Sequence, residues 1–344
     1  MTTNTTLSKE RRGGSRLSTT VHAAVGCAVG AACLFWLFYK LPLRRLLESL
    51  AGVHWWLLAP AVLLVLAAYL CVAWEWQFLL RPLGTLPFWR SAQAVFAGRF
   101  VNDALPVHIG YFVRALLASR WMGVSLAATA PSLIVERLWD GFWLAAGTGL
   151  LSIFVPLPPE LIHAKNALGT TVLAGALATV AVILFFQRRT VVQQTEAGRA
   201  QRGAVGRIAF VLQSVGEGTR EIVRSRLIGA IVGLALLRLV VHAVAILALL
   251  RAFDIDLSLR AGLVVFVAGY LAGCVPSLPA GLGLFQLFVV GVLEFFGVAK
   301  PVAASFSLVS FVTLTAPPAL AGFLALAHSG LTLSQVQREA ADSN

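Results

Sequence analysis

Apolar runs long enough to cross a hydrocarbon layer recur along this chain, over residues 21–39, 55–74, 126–155, 167–186, 227–250, 261–275 and 301–327. A bilayer core of about 30 Å takes about 20 residues of helix. The runs are continuous, whereas the strands of a barrel would alternate apolar and polar residues over segments of about 10, so helices are predicted. Composition agrees. Only 12% of residues are charged and 58% are hydrophobic, far from the roughly 25% charged residues of an ordinary soluble domain.

The formal charge of +12 comes from 27 basic against 15 acidic residues. In a soluble chain it would raise nucleic-acid binding, but no basic domain interleaved with aromatics is present, and we read the charge as topology. Starting inside, four crossings return the chain to the cytoplasm for residues 187–226, which carry eight arginines against three glutamates. Within it, Ile208, Val211, Leu212, Val215 and Ile222 recur at roughly helical spacing among polar residues. Such a segment either lies flat on an anionic leaflet or forms a solvated linker helix. One loop runs against this orientation, because Lys40, Arg44 and Arg45 fall outside. The expected location is the bacterial cytoplasmic (inner) membrane, multi-pass, with both termini in the cytoplasm. Cys27, Cys33, Cys71 and Cys274 all lie in apolar segments with no Cys-x-x-Cys. Neither a disulfide framework nor a metal site is indicated, and no cofactor is expected.

Two segments do not read as simple crossings. Residues 88–118 are interrupted by Asn102, Asp103, Pro106 and Gly110, and residues 261–297 by Pro276, Pro279, Gly281 and Gly283. Backbone freed by Pro and Gly at membrane depth must be satisfied by protein or by a water-filled cavity, so both are expected to be broken or re-entrant helical hairpins. The two match in order: Ala97-Gly98 with Ala268-Gly269, Pro106-x-x-x-Gly110-x-Phe112 with Pro279-x-x-x-Gly283-x-Phe285, Gly123-Val124 with Gly297-Val298, and Ser132-Leu133 with Ser307-Leu308. Three crossings separate them, so they enter from opposite faces, the arrangement of an inverted repeat around a midplane site. The predicted fold is an all-α polytopic membrane protein with six crossing helices and two re-entrant hairpins. Its parts are a basic cytoplasmic tail at 1–20, a first repeat at 21–155 with its hairpin at 88–118, a second repeat at 167–327 with its hairpin at 261–297 and the amphipathic insertion at 187–226, and a cytoplasmic tail at 328–344.

Ionisable residues in such runs need a partner or a purpose. Glu136, Arg137 and Asp140 fall about ten residues into the third long run. Arg137 and Asp140 can pair at i, i+3, and Glu136 and Asp140 share a face. The set either holds a proton or a cationic headgroup, or locks this helix to the hairpins as a structural ion cluster. Arg99, Asn102, Asp103, His108 and Arg114 surround the first break. Arginine suits bidentate phosphate recognition, which makes an anionic phospholipid headgroup a candidate guest; the alternative is that Arg99 and Arg114 snorkel and set the hairpin's depth. The second break offers Ser277 and Gln286 as its nearest polar groups. Arg238 and His242, at i, i+4, read as an interhelical hydrogen-bonding pair. The candidate substrate-binding set is therefore Arg99, Asn102, Arg114, Glu136, Arg137, Asp140, Ser277 and Gln286, with membrane lipids as partners, no nucleic acid, and a second copy or a membrane enzyme left open as a further partner. Gly-x-Ser-x-Gly, His-Glu-x-x-His and P-loop signatures are missing, and the chain is not expected to be an enzyme.

Taken together, Asn102-x-x-x-Pro106-x-x-x-Gly110-x-x-x-Arg114, Gly123-x-Ser125, Glu136-Arg137-x-x-Asp140, Pro279-x-Gly281-x-Gly283 and a last helix containing Ser and Pro resemble the flippase-like transmembrane family, which includes the membrane region of lysylphosphatidylglycerol synthases. The resemblance covers about residues 20–330. It implies eight helical elements with two re-entrant hairpins and, in the characterised branch, movement of a lipid between leaflets. Two positions depart from the family pattern: Tyr111 and Gln286 stand where Glu is usual. If those carboxylates bind a cationic headgroup, this chain handles a neutral or anionic lipid or a polyisoprenoid carrier instead. The aminoacyl-transferase domain is absent from the sequence, so synthesis of lysyl-lipid is not carried over. The leading reading is a lipid flippase or lipid-binding transporter; the rivals are a membrane-embedded transferase on a lipid-linked substrate and a non-transporting regulatory partner.

Overall fold

A computed structural model describes residues 28–37, 39, 41–104, 109–126, 128–129, 132–137, 139–143, 174, 227–274 and 281–329. The end of the third run at 144–155, the predicted crossing at 167–186 apart from residue 174, the insertion at 187–226, the tail at 1–20, the tail beyond residue 329, and the residues Pro106, His108, Pro276, Ser277 and Pro279 lie outside that description.

The described secondary structure is helical throughout. Nine helices carry it: α1 (Ala28–Leu37), α2 (Leu43–Ala51), α3 (Leu58–Leu80), α4 (Phe88–Ala104), α5 (Gly110–Met122), α6 (Ile228–Ala252), α7 (Leu259–Cys274), α8 (Leu284–Phe295) and α9 (Lys300–His328). Residues 132–137 and 139–143 add further helical turns after α5. Among the described residues three helical stretches, Trp55–Leu83, Gly229–Ala252 and Lys300–His328, are long and apolar enough to cross a membrane. Their outer faces leave Leu63, Leu237, Val240, Leu320 and Leu324 exposed. Water would penalise so much apolar surface, and a hydrocarbon solvent does not, so the protein is membrane-embedded.

α3 and α6 form the central pair. On α3 the buried positions Ala61, Val65, Ala68, Val72, Glu75, Trp76 and Leu79 recur every three or four residues. On α6 Ile231, Ala235, Arg238, Ala245, Ile246, Leu249 and Ala252 do the same. Alternating small and branched side chains let the two backbones approach closely. They run antiparallel: the amide of His54, just before α3, donates to Ala252 O at the end of α6 (2.8 Å), and the Tyr69 and His242 rings meet edge to face at mid-length, 6.1 Å apart.

Both interrupted segments fold into paired helices, α4 with α5 and α7 with α8. Gly98 and Gly110 mark the first contact. A Cβ on Gly110 would lie 1.9 Å from Gly98 O, so backbone touches backbone there. In the second pair Gly269 faces the Phe285 ring, 2.8 Å from where its Cβ would be. The second arms also end alike. Gly123 after α5 (φ +67°) and Gly297 after α8 (φ +82°) take the left-handed conformation that glycine adopts without penalty. The next amides then reach back to close the helix, Val124 N to Ser119 O (3.1 Å) and Val298 N to Leu293 O (3.0 Å), the six-to-one bond of a Schellman ending.

The loop whose basic residues oppose the predicted orientation is a short amphipathic helix, α2. Arg44 and Glu48 pair on its exposed face (2.9 Å), while Leu46 O accepts the Ser305 hydroxyl from α9 (3.2 Å). Two apolar cores result. One joins the second half of α3 to α4, α5, Leu133, Val135 and Leu326; the other joins α6, α7, α8 and the first half of α9 to Leu37, Val53 and Ala61. α9 belongs to both, and Pro317 and Pro318 lie between its two attachments.

A buried arginine and carboxylate cluster

Three arginines and three carboxylates from four elements gather beside the α3/α6 pair. Arg114 on α5 is buried, and its two terminal nitrogens donate to the two Glu136 oxygens, Nη1 to Oε1 (2.8 Å) and Nη2 to Oε2 (2.5 Å). A forked guanidinium is the one cation that meets both oxygens of a carboxylate at once. Its flat face lies on Trp76, with the guanidinium carbon 4.1 Å from the ring centroid, and Trp76 Nε1 donates to Ser132 Oγ (3.0 Å). Arg114 therefore does not snorkel. The sequence reading grouped it with the first break, and the fold draws it to the Glu136 segment.

Asp140 is held from two sides. Arg238 Nη2 on α6 donates to its Oδ1, and Arg137 Nη1 lies 3.3 Å from its Oδ2. The i, i+3 pairing expected of Arg137 and Asp140 is present; the interhelical partner of Arg238 is Asp140, and His242 turns to Tyr69 instead. Arg137 also approaches Glu136 Oε1 (3.9 Å) and stacks over Tyr111, 4.4 Å from its centroid. Its side chain remains 49% exposed, unlike those of Arg114 and Arg238. Arg137 is thus the face that the cluster presents. Tyr270 on α7 lies within electrostatic range of both Arg137 and Arg238, so one arm of each helix pair borders the cluster.

Arg99 stays on α4, paired with Asp103 one turn on (2.8 Å), with its guanidinium 5.8 Å from the Tyr69 ring centroid. Asn102 has a different task. Its Oδ1 accepts the Gly110 amide (2.7 Å), satisfying a first-turn donor of α5 across the break. Gln286 acts within its own helix in the second pair: it lies in the first turn of α8, and its Oε1 accepts the Gly283 amide three residues earlier (2.6 Å). Gln286 is wholly enclosed and its Nε2 finds no acceptor among the described residues. Both departures from the family pattern therefore have a structural partner: Tyr111 carries Arg137, and Gln286 caps a helix. Loss of a side-chain cap typically destabilises by about 1 kcal/mol. Asn102→Ala is expected to lower stability by about 1 to 2 kcal/mol, read as a loss in the melting of the purified protein; an unchanged melting curve would dismiss the cap.

Sequence reasoning missed Glu75. It sits on the buried stripe of α3 with no exposed surface, and neither carboxylate oxygen accepts a hydrogen bond among the described residues. The apolar run at 55–74 stops one residue short of it. Continuing the stripe 61, 65, 68, 72 by three more residues would have reached it.

A family model described as the lysylphosphatidylglycerol synthase TM region matches residues 23–322. Among curated proteins the chain is similar to a UPF0104 membrane protein of Methanothermobacter thermautotrophicus, at 22% identity over 85% of this chain and 90% of that protein.

Proposed function

Because the chain belongs to the family of the lysylphosphatidylglycerol synthase transmembrane region, we propose that it is a lipid flippase or lipid-binding transporter that takes an anionic phospholipid or polyisoprenoid-linked headgroup at the Arg137 face. One observation carries the reading: a charged cluster enclosed among apolar helices, bordered by an arm from each helix pair, presents one half-exposed guanidinium. An arginine fork suits bidentate recognition of a phosphate, and ionisable residues inside membrane segments mark substrate pathways. The proposed frame is polytopic. Six crossings and two re-entrant hairpins form an inverted repeat, both termini and residues 187–226 face the cytoplasm of an inner membrane, and no enzymatic step is assigned. Support for the repeat comes from the order-matched residues and from the like Gly123 and Gly297 helix endings.

Mass spectrometry of lipids retained in mild detergent should find an anionic lipid enriched over the host membrane. Vesicles containing the protein should exchange a fluorescent phosphatidylglycerol between leaflets faster than empty vesicles. Arg137→Ala is expected to slow that exchange about tenfold, equivalent to about 1.4 kcal/mol, with little loss of fold because Asp140 retains Arg238. Exchange no faster than in empty vesicles would favour the regulatory partner, and turnover of a lipid-linked donor would favour the transferase.

A further inference from the structure

Glu75 is the charged residue of the cluster to which the headgroup reading gives no role. An isolated buried carboxylate is strongly disfavoured unless it is paired or takes up a proton. Among the described residues the cations in reach are already engaged, Arg114 by Glu136 in bidentate fashion and Arg238 by Asp140, which also pairs with Arg137. Among these described groups the formal charge then turns on Glu75. Three guanidinium groups and two paired carboxylates leave one positive charge, which an ionised Glu75 cancels and a protonated Glu75 does not.

The charges that act on Glu75 are those of Arg238 on α6, Glu136 and Asp140 on the 132–143 segment, and Arg114 on α5. Arg137 lies on the same segment as Glu136 and Asp140. Cys71 is one turn back on α3 itself, and His242 one turn beyond Arg238. α4 contributes Arg99 and Asp103, which pair with each other, and α9 carries Lys300 and His328 at its ends and no Arg, Asp or Glu between them.

We propose that Glu75 is a proton-binding site whose occupancy sets the net charge of the cluster and hence its affinity for an anionic lipid headgroup, so that a proton is taken up with each headgroup bound. The step is the addition of one proton from water to a Glu75 oxygen, with no other bond made or broken. The coupling rests on the headgroup reading above; the proton site does not. Even at a separation of about 10 Å and an effective dielectric constant of about 20, a unit charge changes the binding of a singly charged headgroup by about tenfold.

The test uses the full chain in detergent micelles. In infrared difference spectra between acid and alkaline buffers, the wild type should lose a carboxylic-acid C=O band that Glu75→Gln lacks; identical spectra overturn the proton site. Fluorescent phosphatidylglycerol, titrated into the same micelles with a pH indicator dye, should bind the wild type about tenfold more weakly at alkaline than at acid pH, with uptake of about one proton per lipid. Glu75→Gln should bind with the acid-side affinity throughout and take up none. An unchanged pH profile in Glu75→Gln overturns the coupling. Failure of the wild type to bind the lipid at any pH, with the infrared band present, overturns the headgroup reading and the coupling with it, while the proton site stands. Glu75→Asp keeps a carboxyl with a shorter reach and should shift the midpoint of the infrared titration; an unshifted midpoint overturns the assignment even if the Gln variant does not accumulate.

Discussion

Arg114→Leu is expected to destabilise the protein by about 3 to 5 kcal/mol, the usual consequence of removing one partner from a buried ion pair. Glu136 would be left without its bidentate partner in a place where it has 1% of its side-chain surface exposed. Arg137 cannot replace the lost partner, since its nearest nitrogen is 3.9 Å from Glu136 Oε1 and its guanidinium is committed to Tyr111 and Asp140. The double variant Arg114→Leu, Glu136→Leu removes both charges and should recover most of the loss, because replacing a buried pair by apolar side chains is often neutral. Melting in detergent followed by tryptophan emission is an apt readout, with Trp76 directly under the Arg114 guanidinium. A double variant as unstable as the single one would show that the pair is not a matched unit.

The second large effect is expected at Gly110. A methyl group there would sit 1.9 Å from Gly98 O and 2.6 Å from Asn102 Oδ1, so Gly110→Ala must part the two arms and break the cap that joins them. Overpacking of this kind typically costs about 1 to 3 kcal/mol, and the lost cap about 1 more. Gly233→Ala on α6 is the control. Nothing lies within 4 Å of its added Cβ, and the gain in helix propensity should leave it neutral or stabilise it by up to about 1 kcal/mol. Similar melting of the two variants would mean that the arms of the first hairpin are not in backbone contact.

What could be read from the chain divides along a physical line. Continuous apolar runs identify α3, α6 and α9 because the bilayer fixes how long such a run must be. The two helix pairs were legible from Pro and Gly, which interrupt hydrogen bonding wherever they stand. The partners of charged residues were legible only within one helix. Arg137 with Asp140 follows from i, i+3 spacing, but Arg114 with Glu136 joins residues 22 apart and Arg238 with Asp140 residues 98 apart. No periodicity encodes such pairs, which depend on how helices dock. Asn102 and Gln286 stand out as polar residues at the breaks, and their amide oxygens bond to backbone there; spacing alone does not distinguish a cap from a ligand. The basic loop at Arg44 and Arg45 reads as a connection because nine residues are too few to register as an apolar run, although Leu46 and Leu50 mark the packed side of α2.

α9 has a mechanical consequence. Pro317 and Pro318 supply no amide hydrogens, so the carbonyls of Thr313 and Leu314, four residues earlier, lack their helical donors. The Thr313 and Thr315 hydroxyls each bond to a carbonyl one turn back, at Val309 and Phe311, which further loosens the backbone ladder at the same level. On one side of this soft joint the helix is riveted to the second core through Phe306 and Phe311; on the other it is riveted to α4, where Gly322 presses against Phe96 O and Gln93 Nε2 donates to Ala325 O (2.9 Å). Of the helices shared by the two cores, α9 is the one weakened in its middle, and a tilt of one core against the other would bend it first at Pro317 and Pro318.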